Sequence, residues 1–302
     1  MTATRSMFST TDVADLFNKV KGHSSLAKLS AQTPIAFNGN KYFTFSMDSD
    51  VSVLGENEAK AHGGATVDPV TIVPIKFEYG ARVSNEVMYG SEEVGLQILD
   101  SFRTGFANKV AKGFDIAAFH GINPKTGALA TTAIPTNYFD NLVTASSTFD
   151  ATKPDESLDA AYEVALAADA DVTGMALSRS YANILSKLYV GTNENKNRLY
   201  PELRFGANPA AIQGVPADVN STVEKAVSGA STIDFAILGD FANAFKWGYS
   251  KEIPLEVIEY GDPDNTGSDL KGHNQVYLRS EVYIGWGILD KTAFVRMTKA
   301  NA

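Results

Sequence analysis

The chain has 302 residues, and its 44% hydrophobic content is enough for one elaborate domain or two intertwined ones and too high for an intrinsically disordered chain. Its 35 acidic against 26 basic side chains, a formal net charge of -9, exclude a free subunit that grips nucleic acid tightly, because phosphate binding is driven by Lys and Arg releasing counterions. The absence of cysteine excludes disulfides, thiolate zinc sites and cysteine nucleophiles, and fits folding in a reducing cytoplasm.

Residues 1–33 read as an arm. A short amphipathic helix is predicted around Asp12 to Val20, with Val13, Leu16, Phe17 and Val20 on one side and Thr10 or Thr11 as its cap. The opening residues lack an apolar core followed by a small-residue cleavage site, so no secretory signal is expected. Without one, the formal sequon Asn220-Ser221-Thr222 carries little weight.

Residues 34–69 read as a long hairpin. Asn38-Gly39 supplies a turn before the strand-like Tyr42-Phe43-Thr44-Phe45. The run 55–68 holds three glycines and almost nothing large. It fits an ordinary mobile surface loop or an extended arm lying on a neighbour, and the residues alone do not choose. The stretch 70–86 then reads as strand.

Residues 91–119 carry the clearest periodicity. Ser91 followed by Glu92 and Glu93 marks a helix start, with an acceptor and negative charge at the positive end of the helix dipole. Val94, Ile98, Phe102, Phe106, Val110 and Phe114 follow in steps of four. Each such step drifts by roughly 40°, so the stripe winds and its early and late turns need cover from different directions. At 1.5 Å per residue this helix spans roughly 40 Å, which suits crossing between parts of a subunit.

From 122 to about 236 helix and strand alternate. Pro154 to Asp171 reads as a helix with Leu158, Ala161, Tyr162, Ala165 and Leu166 on one side. Met175-Ala176-Leu177 reads as a buried strand, Tyr181 to Leu188 as a helix, and Asp234 to Leu238 as a core strand. The C-terminal part returns to sheet: Ile253 to Ile258 is one strand, and Val276, Leu278, Val282, Ile284 and Trp286 alternate with polar residues in another. Thr292 to Met297 closes the chain. No run of roughly 18 apolar residues occurs, so no membrane span is predicted.

Catalytic signatures are sparse. No dinucleotide fingerprint, P-loop, H-E-x-x-H or G-x-S-x-G occurs. The four histidines, His23, His62, His120 and His273, lie far apart, and none has a partner at metal-ligand spacing. No metal, cofactor or enzyme activity is expected.

Several segments resemble, in order, the HK97-type major capsid protein family of tailed phages. They are Gly55-Glu56, Val83-Ser84-Asn85-Glu86, Phe119-His120-Gly121, Ile212-Gln213-Gly214-Val215-Pro216, Ile237-Leu238-Gly239-Asp240-Phe241, the Glu281 strand with Gly285, and Ala293-Phe294-Val295. The resemblance implies an α+β subunit with an N-terminal arm (1–33), an extended loop (34–69), a peripheral domain (70–124 and 239–302, with a spine helix at 91–119) and an axial domain (125–238). It implies a major capsid protein whose pentamers and hexamers close an icosahedral virion shell around double-stranded DNA, assembled in the host cytoplasm. Gly55, Glu56, Glu58 and Lys60 would make the loop's contacts with neighbours. With Met1 about thirty residues before the loop, there is no room for the helical scaffolding region that some members carry, so a separate scaffolding protein is expected, with a portal and a decoration protein as further partners and DNA as a weak, non-specific one.

The resemblance also implies a chemistry. Some members form an isopeptide cross-link between a lysine and an asparagine, assisted by a glutamate, and Lys60, Asn274 and Glu281 sit where that would require them. The plainer readings are a solvated loop lysine, a strand-start asparagine and a glutamate paired with Arg279. Two other functions stay open: an encapsulin-like compartment shell, which would assemble alone around protein cargo, and a soluble α+β enzyme, which would be small, monodisperse and pocketed.

Overall fold

The computed structural model describes residues 24–60, 62–89, 92–191 and 196–301. The helix predicted over Asp12 to Val20 and the helix start at Ser91 lie outside the described residues. Helix α1 (Ser25–Leu29) is capped by Ser24, whose hydroxyl accepts from the Ala27 amide. The chain then runs extended, donating from the Thr33 amide to the Trp247 carbonyl (2.8 Å) and from Ile35 to Tyr249 (3.3 Å). Gly39, at φ +87°, turns it into the hairpin of β1 (Asn40–Met47) and β2 (Ala65–Ile72), which pair antiparallel from Asn40–Ile72 out to Met47–Ala65. Pro69 lacks an amide donor and is tolerated because this sheet has only two strands, both edges.

The single strand expected over 70–86 is broken at Val73-Pro74, where proline ends β2, and resumes as β3 (Ile75–Ser84). Helix α2 (Asn85–Tyr89) leads to α3 (Glu92–His120), 29 residues and about 44 Å long. Gly121, at φ +64°, ends α3, its amide bonding the Ala117 carbonyl. The cover of α3 changes along its length. Leu99, Ile98 and Phe102 pack with Val276 and Leu278, Phe114 lies between Trp247 and Trp286 (ring centroids 5.2 and 5.6 Å), and Phe119 meets Phe139.

The middle of the chain gives α4 (Phe139–Leu142), β4 (Ser146–Thr148), α5 (Pro154–Ala167), β5 (Gly174–Ser178), α6 (Arg179–Leu185), the short pair β6 (Tyr189–Val190) and β7 (Asn197–Arg198), a 3-10 turn (Pro201–Gly206), β8 (Ala211–Ile212), β9 (Val215–Asn220) and β10 (Thr232–Gly239). Proline at the first position of α5 and Asp155 and Glu156 in its first turn suit a helix N-terminus. The structure adds to the reading of α5 at one point and corrects it at another. The helix buries Pro154, Ser157, Ala161 and Ala165, while Tyr162 and Leu166 face solvent, because the face in steps of four from Ser157 is the one that meets the sheet. It stops at Ala167 rather than Asp171, because Asp169 turns left-handed (φ +53°) and the Ala170 amide reaches back to Ala165, closing a Schellman cap.

Strand β11 (Phe245–Ile258) starts eight residues before the predicted Ile253, since Phe245 and Trp247 continue the inward alternation. It pairs with β12 (Gln275–Ile288), which pairs with β3 to make a three-stranded antiparallel sheet under α3. The last strand, β13 (Phe294–Ala300), belongs to a second sheet, in the order β4-β13-β10-β5-β9-β8. That sheet draws strands from both the 125–238 and the 239–302 stretches. Two aromatic-rich cores result, one between α3 and the three-stranded sheet and one between the six-stranded sheet and α5 and α6.

Candidate functional site

The β1–β2 hairpin projects an apolar face that is unpartnered among the described residues. Phe43 opposes Pro69, Phe45 opposes Val67 and Met47 opposes Ala65, all on the side where alternation places every second residue. Phe43, Phe45 and Met47 are 69%, 61% and 73% exposed. The opposite face is anchored at its base. Ile72 is fully buried, and with Ile35 it sits over Gly285 and Gly287 of β12, where added Cβ atoms would lie 2.7–3.1 Å from their side chains. Gly248 of β11, paired with Gly285, leaves room for the Thr33 carbonyl, which a Cβ there would meet at 1.6 Å. Glycines thus let the segment 33–35 and the foot of the hairpin lie directly on the sheet.

The tip carries Gly55, Glu56, Glu58 and Lys60, all exposed. The Gly55 amide donates to the Glu58 carboxylate (2.6 Å), closing a turn through Asn57 at φ +67°. Asn274 sits at the foot of β12 in a left-handed conformation (φ +53°). Its carboxamide donates to Glu86 (2.5 Å) and accepts from Asn85 (2.9 Å). The Ser84 hydroxyl, the Glu86 amide and Asn274 together hold the Glu86 carboxyl below the usual carboxylate range. Glu281 is further along β12, facing Lys76 at 3.6 Å and Arg279 at 3.7 Å. Burial acts to lower the Lys76 pKa, but Glu281 and Glu78 outweigh it and the ammonium is held above its ordinary value. Seven residues of strand separate Asn274 from Glu281 by roughly 23 Å. Among the described residues no hydrogen bond or ion pair joins any two of Lys60, Asn274 and Glu281.

Two buried polar junctions were not visible in the sequence. Asp115, on the inner side of α3, accepts from the Ser24 hydroxyl, the amides of Ser25 (2.9 Å) and Leu26 (3.4 Å), Asn220 Nδ2 (3.2 Å) and Thr222 Oγ1 (3.0 Å). It ties the N-terminus of α1 and the end of β9 to the long helix. Complete burial pushes its pKa up to about 7, against the pull of those donors. Asn220 and Thr222 are therefore interior partners of Asp115, and the sequon is closed to a glycan in the folded chain.

The second junction gathers His120, Asp140, Asp234 and Arg296 from α3, α4, β10 and β13 beside a cavity of about 330 Å³. Histidine Nδ1 is 2.9 Å from Asp140 and Nε2 is 3.0 Å from the Thr222 carbonyl. Both neighbours are acceptors, so the ring donates from both nitrogens as imidazolium. Burial opposes that charge, but Asp140 outweighs it and the His120 pKa is raised. Burial and the adjacent Asp140 push Asp234 up to about 6, while Arg296 pulls it down. Asp140 is itself lowered, burial being outweighed by His120 and Arg296. His120, Asp140 and Asp234 bring ligand-type atoms within 4.8 Å of one another. The Arg296 guanidinium spans the two carboxylates at 2.9 and 2.8 Å, so the chain's own cations balance the cluster. Of these four, the sequence offered His120 as a possible ligand type and Asp234 only as the start of a core strand, and nothing in the spacing linked them to each other or to Asp140 and Arg296.

Residues 10–299 match the family model described as the phage capsid family. A solved chain from Mycobacterium phage Ogopogo is 33% identical, with a TM-score of 0.80 and 92% of each chain covered. One from Gordonia phage Cozz is 27% identical, with a TM-score of 0.72, covering 92% of this chain and 87% of that one. A chain from the capsid of an empty GTA particle shares the fold alone, at 15% identity and a TM-score of 0.57 over 92% and 90%. No curated protein matches the chain. Among the described residues no helix is long and apolar enough to cross a membrane. With the match running through the projecting hairpin, the long helix and both sheets, the chain belongs to the phage capsid family.

Proposed function

We propose that this chain, as a major capsid protein of a phage head, closes with copies of itself into an icosahedral shell of pentamers and hexamers around double-stranded DNA. The observation that carries the finer reading is the hairpin's apolar face, which no other described residue of the chain covers and which a neighbouring copy would cover. In a closed symmetric assembly each copy both gives and receives the same contact. In this reading 1–33 is the arm, 34–69 the loop that crosses to a neighbour through Gly55, Glu56, Glu58 and Lys60, 70–124 with 239–302 the peripheral domain, and 125–238 the axial domain. A separate scaffolding protein, a portal and a decoration protein complete the head, which is assembled in the host cytoplasm. The acidic chain keeps DNA contacts weak, so that packed DNA slides during filling and exit.

The first experiment is negative-stain electron microscopy of the chain expressed alone and with its neighbouring phage genes. Closed shells, rings or capsomers support the reading. A chain that stays monomeric in both settings removes it, and shells that form alone around protein cargo favour a compartment instead.

The chemical reading of Lys60, Asn274 and Glu281 is an isopeptide link between copies. A neutral Lys60 of one copy attacks the Asn274 carboxamide of another; Glu281 takes a proton from the attacking nitrogen and hands it to the departing –NH2, so the new C–N bond forms as the old one breaks and ammonia leaves. What supports it is the exposed Lys60 and the fixed orientation of Asn274. Boiled, denatured particles that run as a ladder, lost in Asn274→Asp, would support it. Monomer alone on the gel ends it.

A further inference from the structure

The turn between β11 and β12 has the ligand pattern of a calcium loop. Counting Asp262 as the first position, Asp264 is third, Thr266 fifth, Gly267 sixth and Ser268 seventh. In EF-hand loops positions 1, 3 and 5 supply side-chain oxygens, position 7 a backbone carbonyl, and a glycine at 6 makes the sharp bend. Gly267 has φ +81°, and its amide donates to Asp262 (2.7 Å).

The centre of this loop already holds a cation, brought from another strand. Nη2 of Arg82, on β3, lies 2.8 Å from Asp262 Oδ1, 2.5 Å from Asp264 Oδ1, 2.6 Å from Thr266 Oγ1 and 2.8 Å from the Ser268 carbonyl. A guanidinium NH2 carries two hydrogens, so four acceptors around one nitrogen share them in three-centre bonds, a crowding of oxygens of the kind that surrounds a hard cation. Nε holds the second oxygen of Asp264 at 2.8 Å, and Nη1 reaches Gln275 at 3.3 Å. The twelfth position, where an EF-hand has a bidentate glutamate, is His273, whose ring bonds the Asp269 carbonyl instead.

We propose that the 262–268 turn is a divalent-cation loop whose cation is supplied by the chain itself, the Arg82 guanidinium standing where a calcium ion would. The guanidinium pins the turn to β3, and with it the start of β12 and Asn274. This corner of the subunit is thereby closed without metal, so it is indifferent to chelators and to the calcium concentration around the particle. Without the arginine, the same four oxygens are a vacant site for a hard cation.

The test uses the full-length chain as wild type, Arg82→Met and Arg82→Lys, with melting temperature read in EDTA and in 10 mM CaCl2, and terbium luminescence as a direct probe of the loop. The wild type is expected to shift by less than about 1 °C and to give no terbium signal. Arg82→Met is expected to melt lower in EDTA, to recover by at least about 3 °C in calcium, and to bind terbium. Arg82→Lys, which keeps the positive charge, is expected to fold and to stay calcium-insensitive. The proposal is overturned if Arg82→Met shows neither a calcium shift nor a terbium signal, or if the wild type binds terbium as the variant does. It is equally overturned if Arg82→Met folds in neither condition while Arg82→Lys folds.

Discussion

Asp115 lies where burial opposes its charge and five donors favour it, and the balance leaves its pKa near 7. A carboxyl whose folded pKa is raised stabilises the fold most fully below its ordinary value, near 4. That contribution is lost as pH rises through the folded value, here from about 4 to about 7. The slope from one such group is at most about 1.4 kcal/mol per pH unit. Asp234, pushed up to about 6, and His120, also raised, act in the same direction. Denaturant unfolding of wild type and Asp115→Asn between pH 4.5 and 8 separates the Asp115 share. The wild type is expected to lose more stability with rising pH, and equal slopes would show that Asp115 does not titrate there. Asp115→Ala removes the acceptor and strands buried donors from α1, β9 and the turn after it. A loss of about 3 kcal/mol is expected at pH 7.

The long helix and the sheet beneath it depend on bulk at one place and on its absence at another. Phe114 is fully buried between Trp247 and Trp286, so Phe114→Ala opens a cavity the rigid tryptophans cannot fill. The expected loss is about 3–5 kcal/mol, measured by chemical denaturation, and a loss below 1 kcal/mol would mean the site collapses freely. At Gly248 the added methyl group of alanine meets the Thr33 carbonyl, which belongs to backbone and cannot rotate away. Gly248→Ala is therefore expected to lift the segment 33–35 off β11. It should cost about 2 kcal/mol and speed proteolytic cleavage between residues 30 and 40. Unchanged cleavage would show that the sheet edge adjusts instead.

For the molecule as a whole, the proposed assembly uses a surface that folding leaves exposed. Phe43, Phe45 and Met47 are exposed in the single chain, so replacing all three with serine should leave unfolding stability within about 0.5 kcal/mol. Particle formation, in contrast, should fail, because in the proposed assembly the replaced face is the one that a neighbour covers. Electron microscopy beside a melting curve on the same preparation distinguishes the two. Normal shells from the triple variant would remove the hairpin's apolar face from the assembly contact.

What the sequence determined by itself was whatever depends on near neighbours along the chain. Steps of four from Ile98 to Phe114 marked the long helix, alternation from Val276 to Trp286 marked a half-buried strand, and Asn38-Gly39 marked the turn into the hairpin. The loop residues from Gly55 to Lys60 were legible for the same reason, since three glycines in fourteen residues leave nothing to bury. Even there, the buried edge of the α5 stripe was left open, because periodicity gives the spacing of a stripe and not which edge of it the sheet will cover. The tertiary structure alone decided which distant groups meet: Asp115 with Ser24 and Asn220, His120 with Asp140 and, through it, Arg296, and Arg82 with the turn at 262–268. Such partners are joined by how α3 and the two sheets stack. A buried charge accepts whichever counter-charge the packing brings within about 3 Å, and no local spacing records that choice.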